Sequence, residues 1–354
     1  MIYTASVENK LWNKKEDIVS ILNDLENNKD NVVSLILSHH SIGEECAKEL
    51  SEKIKNLSKL KKLDLSDCFV SRKKDELPKC LGYLLTAIKD KEIIELNLSD
   101  NALGPDAASG YLDFFKNNKT LKKVLINNCG MGPIGTPQLF KVLCQNKEIP
   151  LESLFFNRNK MENVGCFSVS EFIKNNQKLK EISISDNEIF KEGLVKFFES
   201  IKENKNLEYI DVHNNNISSE FKIVNDILVN LPNIKYLDLS DLTINSKEEV
   251  NKFLQSLSNM KNLNVFRFCY NLSDIDYLNE KERKAFQSIM FENLSKLENI
   301  KEIYVDNNEI FKDLYQKYNH IFIEKKIKIF ECYDPEEEMP DIEDENLDET
   351  DLNK

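Results

Sequence analysis

The stretch Ile93-Ile-Glu-Leu96-Asn-Leu98-Ser-Asp-Asn101 has apolar residues at its first, fourth and sixth positions and an asparagine at its ninth. The pattern returns in Leu60-Lys-Lys-Leu63-Asp-Leu65-Ser-Asp-Cys68 and in Leu121-Lys-Lys-Val124-Leu-Ile126-Asn-Asn-Cys129. Ten copies follow one another, and their first residues are Val32, Leu60, Ile93, Leu121, Leu151, Leu179, Leu207, Ile234, Leu263 and Ile300. Spacings of 27 to 37 residues, most of them near 28, indicate stacked repeats rather than independent domains.

Each copy carries the signature of a leucine-rich repeat. Its alternating apolar centre predicts a short strand with one side chain inward and the next outward. About 15 residues with helical spacing follow, as in Ala47, Leu50, Ile54 and Leu57. The sequence therefore predicts an α/β leucine-rich-repeat horseshoe, a ribonuclease-inhibitor-like solenoid with parallel strands on the concave face and helices on the convex face.

The chain divides into three regions. Residues 1–31 are expected to form an N-terminal cap, with a capping box of Asn13 and Glu16 before its helix. Residues 32–333 hold about ten repeats and a C-terminal cap, in which the apolar run from Ile321 to Phe330 covers the last strand. Residues 334–354 are predicted to be a disordered acidic tail.

Charge separates the tail from the repeats. The net charge is −13; residues 334–354 contain eleven acids and one lysine, which is −10 and leaves −3 for the rest. A body without a basic excess argues against nucleic acid and anionic membranes as partners, and no apolar run approaches the ~18 residues of a membrane helix. The tail is either a solubilising terminus or an attractant for a basic partner.

The polar residues of catalysis and metal binding are sparse. Eight cysteines without a CxxC pair predict reduced thiols, a cytoplasmic location and no metal site. No His-x₃-His, Gly-x-Ser-x-Gly or Gly-x₄-Gly-Lys-Ser/Thr motif occurs. His40, Cys68 and Cys129 fall at the inward position of their repeats, so a core role is expected for each. The pattern alone predicts a cytoplasmic repeat protein that binds another protein.

Two unusually long intervals mark candidate binding loops. The 33-residue interval after Leu60 contains Phe69-Val-Ser-Arg72-Lys-Lys74-Asp-Glu-Leu-Pro78, and the 37-residue interval after Leu263 contains Tyr270-Asn-Leu-Ser-Asp-Ile-Asp. Long strand-to-helix loops on one edge of a solenoid are commonly its binding face.

Several segments resemble the Ran GTPase-activating protein family. They are Leu98-Ser-Asp-Asn-Ala-Leu-Gly-Pro105, Asn127-Asn128-Cys-Gly130-Met-Gly132-Pro133, Asn157-Arg158-Asn159-Lys-Met-Glu162-Asn163 and the loop from Phe69 to Pro78. The resemblance extends over the whole body, with a like number of repeats, and includes the acidic tail. It implies a horseshoe that docks one edge against Ran in its GTP-bound state. Such a protein is a regulator and not an enzyme, because GTP and Mg²⁺ belong to the GTPase and no cofactor is needed.

The resemblance also assigns site residues. The residue matching the family's catalytic asparagine is Asn128, which orients the glutamine of Ran that positions the attacking water, without an arginine finger. Arg72 and Lys74 match residues that bind the GTPase, and Asp100 and Arg158 are assigned to the same contact surface. The structural alternatives are a turn residue at Asn128 and a solvated loop charge at Arg72.

One position departs from the family pattern. An acidic residue is expected before the inward asparagine of the repeat that starts at Leu207, but Asn214 stands there. This change puts one contact with Ran in doubt. A monomer is expected, with a Ran-binding protein as a further partner and no targeting to the nuclear envelope. The alternative function is a non-catalytic repeat scaffold or inhibitor.

Overall fold

A computed structural model describes residues 1–6, 10–271, 279–306 and 309–332. The predicted acidic tail, residues 334–354, and most of the loop that follows Tyr270 lie outside the described residues. Within the described part, no helix is both long and apolar enough to cross a membrane.

A single parallel sheet of twelve strands runs along the described part of the chain. Successive repeats contribute successive strands, which pair in register, as Leu96 with Val124 and Val124 with Leu154. The twelve strands are β1 (Ile2–Thr4), β3 (Ser34–Ile36), β5 (Lys62–Asp64), β6 (Glu95–Asn97), β7 (Lys123–Leu125), β8 (Ser153–Phe155), β9 (Glu181–Ser183), β10 (Tyr209–Asp211), β11 (Tyr236–Asp238), β12 (Val265–Arg267), β13 (Glu302–Asp306) and β14 (Lys328–Cys332). A separate two-stranded pair joins β2 (Leu11–Trp12) to β4 (Ser41–Ile42).

Helices follow the strands and pack in chain order on the other face. They are α1 (Val19–Asn27), α2 (Glu44–Lys55), α3 (Leu77–Ile88), α4 (Ala108–Asn117), α5 (Gly132–Gln145), α6 (Glu162–Asn175), α7 (Lys191–Ile201), α8 (Phe221–Leu228), α9 (Lys247–Ser256), α10 (Glu280–Leu294) and α11 (Glu309–Lys325). In α2 the residues Ala47, Leu50 and Ile54 are fully buried, as their spacing predicts. The predicted α/β leucine-rich-repeat architecture is confirmed.

The core lies between the sheet and the helices. The middle residue of each three-residue strand from β3 to β12 is inward, and Leu63, Leu96 and Leu154 have no exposed surface. His40, Cys68 and Cys129 are buried in the same layer, where the two thiols donate to Leu37 O at 3.1 Å and Leu98 O at 3.2 Å, respectively. Their predicted core role is confirmed.

The sheet is extended beyond the repeats at both ends. At the start of the chain, β1 pairs with β3, the strand of the first repeat. At the other end, β14 pairs with β13 and the half-buried Ile329 packs on the core. The apolar run near the C-terminus therefore contributes both a final strand and part of α11.

Two sequence expectations are wrong in detail. The capping box does not use Glu16; instead Asp17 accepts the backbone N–H groups of Asn13 and Lys14 at 2.8 and 2.9 Å. The thiols are not all reduced, because Cys269 and Cys332 form a disulfide across a separation of 63 residues, with their Cα atoms 6.3 Å apart. Neither partner of that pair can be found from cysteine spacing, because the pairing depends on where β14 meets the sheet.

Candidate functional site

A row of residues in the left-handed backbone conformation marks one edge of the sheet. Each lies directly before the inward polar or apolar residue of its repeat and has φ between 50° and 65°. The row is His39, Asp67, Asp100, Asn128, Arg158, Asp186, Asn214, Asp241 and Tyr270. Asparagine and aspartate adopt this conformation more readily than other residues with a Cβ atom, which explains why they prevail here. The row also holds four of the predicted site residues: Asp100, Asn128, Arg158 and Asn214.

The residues behind this edge row make it rigid. Asn159, fully buried, accepts the backbone N–H of Cys129 at 3.0 Å and donates to Ile126 O at 2.6 Å. Asn187 makes the same kind of bonds one repeat later, to the N–H of Asn159 and to Phe156 O. Each buried amide therefore satisfies backbone hydrogen-bonding groups in the turn of the preceding repeat. Exposed side chains of the edge row stand on a fixed backbone.

Asn128 is exposed at this edge, as predicted. Its backbone N–H donates to Asn157 O at 2.8 Å, and its side-chain Nδ2 donates to Asp100 Oδ1 at 3.0 Å. A carboxylate can only accept, so this bond fixes which end of the amide is the nitrogen. The Oδ1 atom is then the end of the amide that faces away from Asp100. Two predicted site residues thus act as a pair.

A groove of ≈ 420 Å³ opens along the edge row. Its walls include Asn128, Arg158, Lys160, Asp186, Phe190 and Asn214. The side chains of Arg158 and Lys160 are 71% and 76% exposed, which leaves both cations largely in solvent. Lys160 pairs with Glu188 at 3.2 Å. The arrangement suits recognition of a polar protein surface.

Asp186 organises the charged part of the groove. It accepts from Asn214 Nδ2 at 2.6 Å and lies 3.1 Å from His213 Nε2 and 3.8 Å from Arg158 Nε. Burial opposes its charge, but the hydrogen bonds from His213 and Asn214 outweigh burial and lower the pKa of Asp186. An aspartate in place of Asn214 would put two carboxylates against each other. Asn214 therefore makes a hydrogen bond at a point where an aspartate would repel Asp186.

Arg72 is not the exposed loop cation that the sequence suggests. Only 9% of its side chain is exposed. Its Nε donates to Ser41 Oγ at 2.9 Å, and one terminal nitrogen donates to Asn13 Oδ1 at 2.7 Å and lies 3.6 Å from Glu76. The guanidinium also donates to the Ser41 carbonyl oxygen. Arg72 thus ties the long loop to the N-terminal segment and to β4.

Lys74 has the exposure that was expected of Arg72. Its side chain is 88% exposed and its Nζ lies 3.0 Å from Asp106 Oδ2. Neither Lys74 nor Arg72 lines the groove. The structure therefore brings Asn128, Arg158 and Asn214 together in the groove, adds Asp100 through Asn128, and leaves Lys74 on the neighbouring loop.

A second polar cluster lies beside the groove. His213 Nδ1 is 2.7 Å from Asp211 Oδ1 and 3.8 Å from Asp238 Oδ2. Burial of the ring lowers the pKa of His213, but the bonds to Asp186 and Asp211 and the charge of Asp238 outweigh burial and raise it to about 10. Burial and the neighbouring charge of Asp211 raise the pKa of Asp238.

Asp211, His213 and Asp238 could offer three ligand atoms within 4.8 Å of one another. However, both ring nitrogens of His213 already face carboxylates, and Arg267 Nε lies 3.2 Å from Asp238. Asp211, Asp238 and the neighbouring Asp186 face three cations: His213, Arg158 and Arg267. Because the charges balance, we interpret this cluster as an ion network.

Four residues of the groove and its neighbourhood were not predicted from the sequence: Asp186, His213, Lys160 and Phe190. Asp186 was detectable, because it occupies the same place in its repeat as Asn128, Arg158 and Asn214. His213 and Lys160 had no such signal, since their importance comes from contacts between neighbouring repeats.

Comparisons with known proteins agree with the repeat pattern. The family model described as "Leucine Rich repeat" matches residues 175–198. Ran GTPase-activating protein 1 of Xenopus laevis is 32% identical over 168 residues, which are 44% of this chain and 29% of that protein. Ran GTPase-activating protein of Drosophila melanogaster is 29% identical over 203 residues, 53% of this chain and 34% of that protein.

A third relative is Ran GTPase-activating protein 1 of Saccharomyces cerevisiae, 29% identical over 173 residues, 45% of this chain and 42% of that protein. The matched part of the chain thus spans between about a quarter and a half of the length of these curated relatives. The repeat pattern, the parallel solenoid and these similarities agree with one another. The chain has the leucine-rich-repeat fold and is similar, over about half of its length, to Ran GTPase-activating proteins.

Proposed function

We propose that this protein stimulates GTP hydrolysis by a Ran-type small GTPase, which docks in its GTP-bound state on the edge that carries Asn128. The observation that carries the proposal is the pairing of Asn128 with Asp100, because it holds an exposed amide in one orientation. The similarity to three Ran GTPase-activating proteins supports the identity of the partner.

The chemistry belongs to the GTPase, which binds GTP and Mg²⁺ itself. Phosphoryl transfer depends mainly on positioning and charge stabilisation, so an activator needs no nucleotide site of its own. Stimulation of ~10⁵-fold lowers the barrier by about 7 kcal/mol. Fixing one mobile glutamine and excluding water from its surroundings supply a large part of such an effect.

Asn128 has the geometry for this task. Its Nδ2 is engaged by Asp100, which leaves Oδ1 to accept from a partner. A glutamine side chain of the GTPase presents an amide N–H that Oδ1 accepts, and the glutamine carbonyl then remains available for the attacking water. A neutral amide orients the glutamine without adding charge to the site.

The mechanism uses no arginine finger. Arg72 is engaged by Ser41, Asn13 and Glu76 inside this protein, so it cannot reach a partner without breaking those bonds. Arg158 is exposed and shares the groove with Asn128, and we assign it to binding. Lys74 and Asp100 complete the contact surface, and the protein acts as a cytoplasmic monomer.

Single-turnover hydrolysis by GTP-loaded Ran, with and without this protein, tests the proposal. We expect acceleration by several orders of magnitude. Binding to Ran–GTP without acceleration would favour the alternative, a non-catalytic scaffold or inhibitor. Absence of both binding and acceleration would reject Ran as the partner.

Arg158 provides the matched test of mechanism. Arg158→Ala should raise KM and leave kcat at saturation nearly unchanged, because binding alone is lost. A loss of about 10³-fold in kcat, the scale of a removed arginine finger, would instead transfer the catalytic role to Arg158.

A further inference from the structure

His213 joins three successive repeats at one point. Its ring contacts Asp186 after β9, Asp211 in β10 and Asp238 in β11, with the nearest atoms at 3.1, 2.7 and 3.8 Å. The ring is 35% exposed, whereas Asp211 and Asp238 are 8% and 4% exposed. It is thus the most accessible member of the cluster of Asp211, His213 and Asp238.

Of the three carboxylates that His213 contacts, Asp186 is the one that lines the groove. Asp186 also accepts from Asn214 and lies near Arg158, so one carboxylate faces three donor-bearing side chains. The short contacts come from Asn214 and His213 at 2.6 and 3.1 Å, and Arg158 is more distant at 3.8 Å. While His213 holds Asp186, the guanidinium of Arg158 stays largely exposed and keeps donors for a partner.

We propose that His213 is a positioning residue, which holds Asp186 away from Arg158 and so keeps Arg158 available to the GTPase. The effect on the GTPase rests on the proposed function, but the effect on Asp186 does not. Without the imidazole, Asp186 closes onto Arg158, and a charge-assisted pair inside the groove replaces the contact with the partner. His213 itself need not touch the partner.

Two substitutions of His213 test the roles of its two ring nitrogens separately. In His213→Gln the amide nitrogen takes the place of Nε2 and can still donate to Asp186. In His213→Asn the amide nitrogen takes the place of Nδ1 and can donate only to Asp211. The two variants are both neutral amides, so they form a matched pair that differs in which carboxylate is held.

The first readout needs no partner. Hydrogen exchange of the backbone amides of residues 185–190 should be about tenfold faster in His213→Asn than in the wild type, the scale of one lost charged hydrogen bond, and near the wild type in His213→Gln. Equal exchange in all three proteins would overturn the proposal. So would faster exchange in His213→Gln alone, because that would assign the positioning to Asp211.

The second readout is GTP hydrolysis by Ran under stimulation by this protein. His213→Asn should raise KM about tenfold with kcat unchanged, and His213→Gln should restore KM to within about twofold of the wild type. A lower kcat with unchanged KM and a lower melting temperature in both variants would mean a merely structural role and would overturn the proposal. If the wild type itself fails to stimulate Ran, the proposed function falls, and the exchange experiment still decides whether His213 positions Asp186.

Discussion

At the scale of single residues, Asn128 meets two demands at once. Its φ of 52° requires a residue that tolerates the left-handed conformation, and its side chain must reach Asp100 and a partner together. Asparagine and aspartate satisfy the first demand, but only asparagine can donate to the Asp100 carboxylate. Turn residue and functional residue are therefore not competing interpretations at this position.

Replacement of Asn128 should impair catalysis more than binding. Asn128→Ala is expected to lower kcat by ~10²–10³-fold, about 3–4 kcal/mol, with a small change in affinity for Ran–GTP. Because alanine is strained at this φ, Asn128→Gly is the control that removes the side chain without the strain. Both variants should lose the same activity when measured at saturation. Weakened binding with unchanged kcat would make Asn128 an ordinary contact.

Arg72 and Lys74 lie two residues apart and should respond differently. Arg72→Ala leaves Asn13, Ser41 and Glu76 without their shared donor, and it should lower the free energy of unfolding by about 1–3 kcal/mol. Lys74→Ala should leave unfolding unchanged, since the lysine is largely solvated, but should weaken binding to Ran. Urea denaturation and binding titrations of both variants check this contrast. Equal stability of the two variants would contradict the role assigned to Arg72, which is to hold the long loop against the N-terminal segment and β4.

At the scale of the repeat element, the inward position decides the stability of each turn. Asn159 bonds the backbone of Cys129 and Ile126 across the boundary between two repeats. The thiol of Cys129 makes weaker bonds, with its sulfur 3.2 Å from the carbonyl oxygens of Leu98 and Asn127. The two residue types share a position but differ in how many backbone groups they satisfy.

Alanine at these two positions should give unequal losses. Asn159→Ala is expected to cost about 3 kcal/mol or more of unfolding free energy, because buried backbone groups lose their partner. Cys129→Ala should cost about 1–2 kcal/mol, because only a small side chain and a weak donor are removed. Thermal and urea unfolding of both variants measure the difference. A Cys129→Ala variant as unstable as Asn159→Ala would show that volume, not hydrogen bonding, governs the turn.

The ion network of His213 couples stability to pH across three repeats. Its pKa is raised to about 10 from an ordinary value of 6.5, so the charged form is favoured by folding. Its contribution is therefore fully present below pH 6.5 and is lost as pH rises through 10. The difference in unfolding free energy between wild type and His213→Asn should be largest at pH 6 and shrink towards pH 10. A difference that grows with pH would contradict a charged imidazole.

At the scale of the whole molecule, repetition made the fold predictable. Ten copies of one pattern locate the ten strands of the long sheet from β3 to β13, because each copy can bury its apolar face only against its neighbours. The same periodicity places Asp100, Asn128, Arg158 and Asn214 on one edge. Position within a repeat is local information, which a sequence carries directly.

Contacts between distant segments were not predictable in this way. Arg72 looks like a loop cation until Asn13, 59 residues earlier, is brought against it. Likewise, the bond between Cys269 and Cys332 depends on the final strand pairing. The exposure of a side chain and the identity of its partners are properties of the folded chain. The periodic pattern therefore predicted that Arg72 lies in a long loop, but not that its side chain is buried.

Residues 334–354 concentrate charge at one end of the chain. They contain eleven acids, one lysine and only four large apolar residues, Met339, Ile342, Leu347 and Leu352. So little apolar area predicts that burial of this segment adds little to the stability of the repeats. Deleting residues 334–354 changes the net charge from −13 to −3. The deletion should therefore change the melting temperature and the urea m-value very little.

A control for this deletion keeps the length of the tail and removes its charge. Replacing the eleven acids by asparagine and glutamine should also leave the unfolding transition of the repeats unchanged. A drop of several degrees in both variants would mean that the acidic residues stabilise the repeats, and a drop in the deletion alone would assign that role to the four apolar side chains. Because the repeats carry only −3, loss of the tail should also slow association with any strongly basic partner at low salt, and added salt should erase that difference.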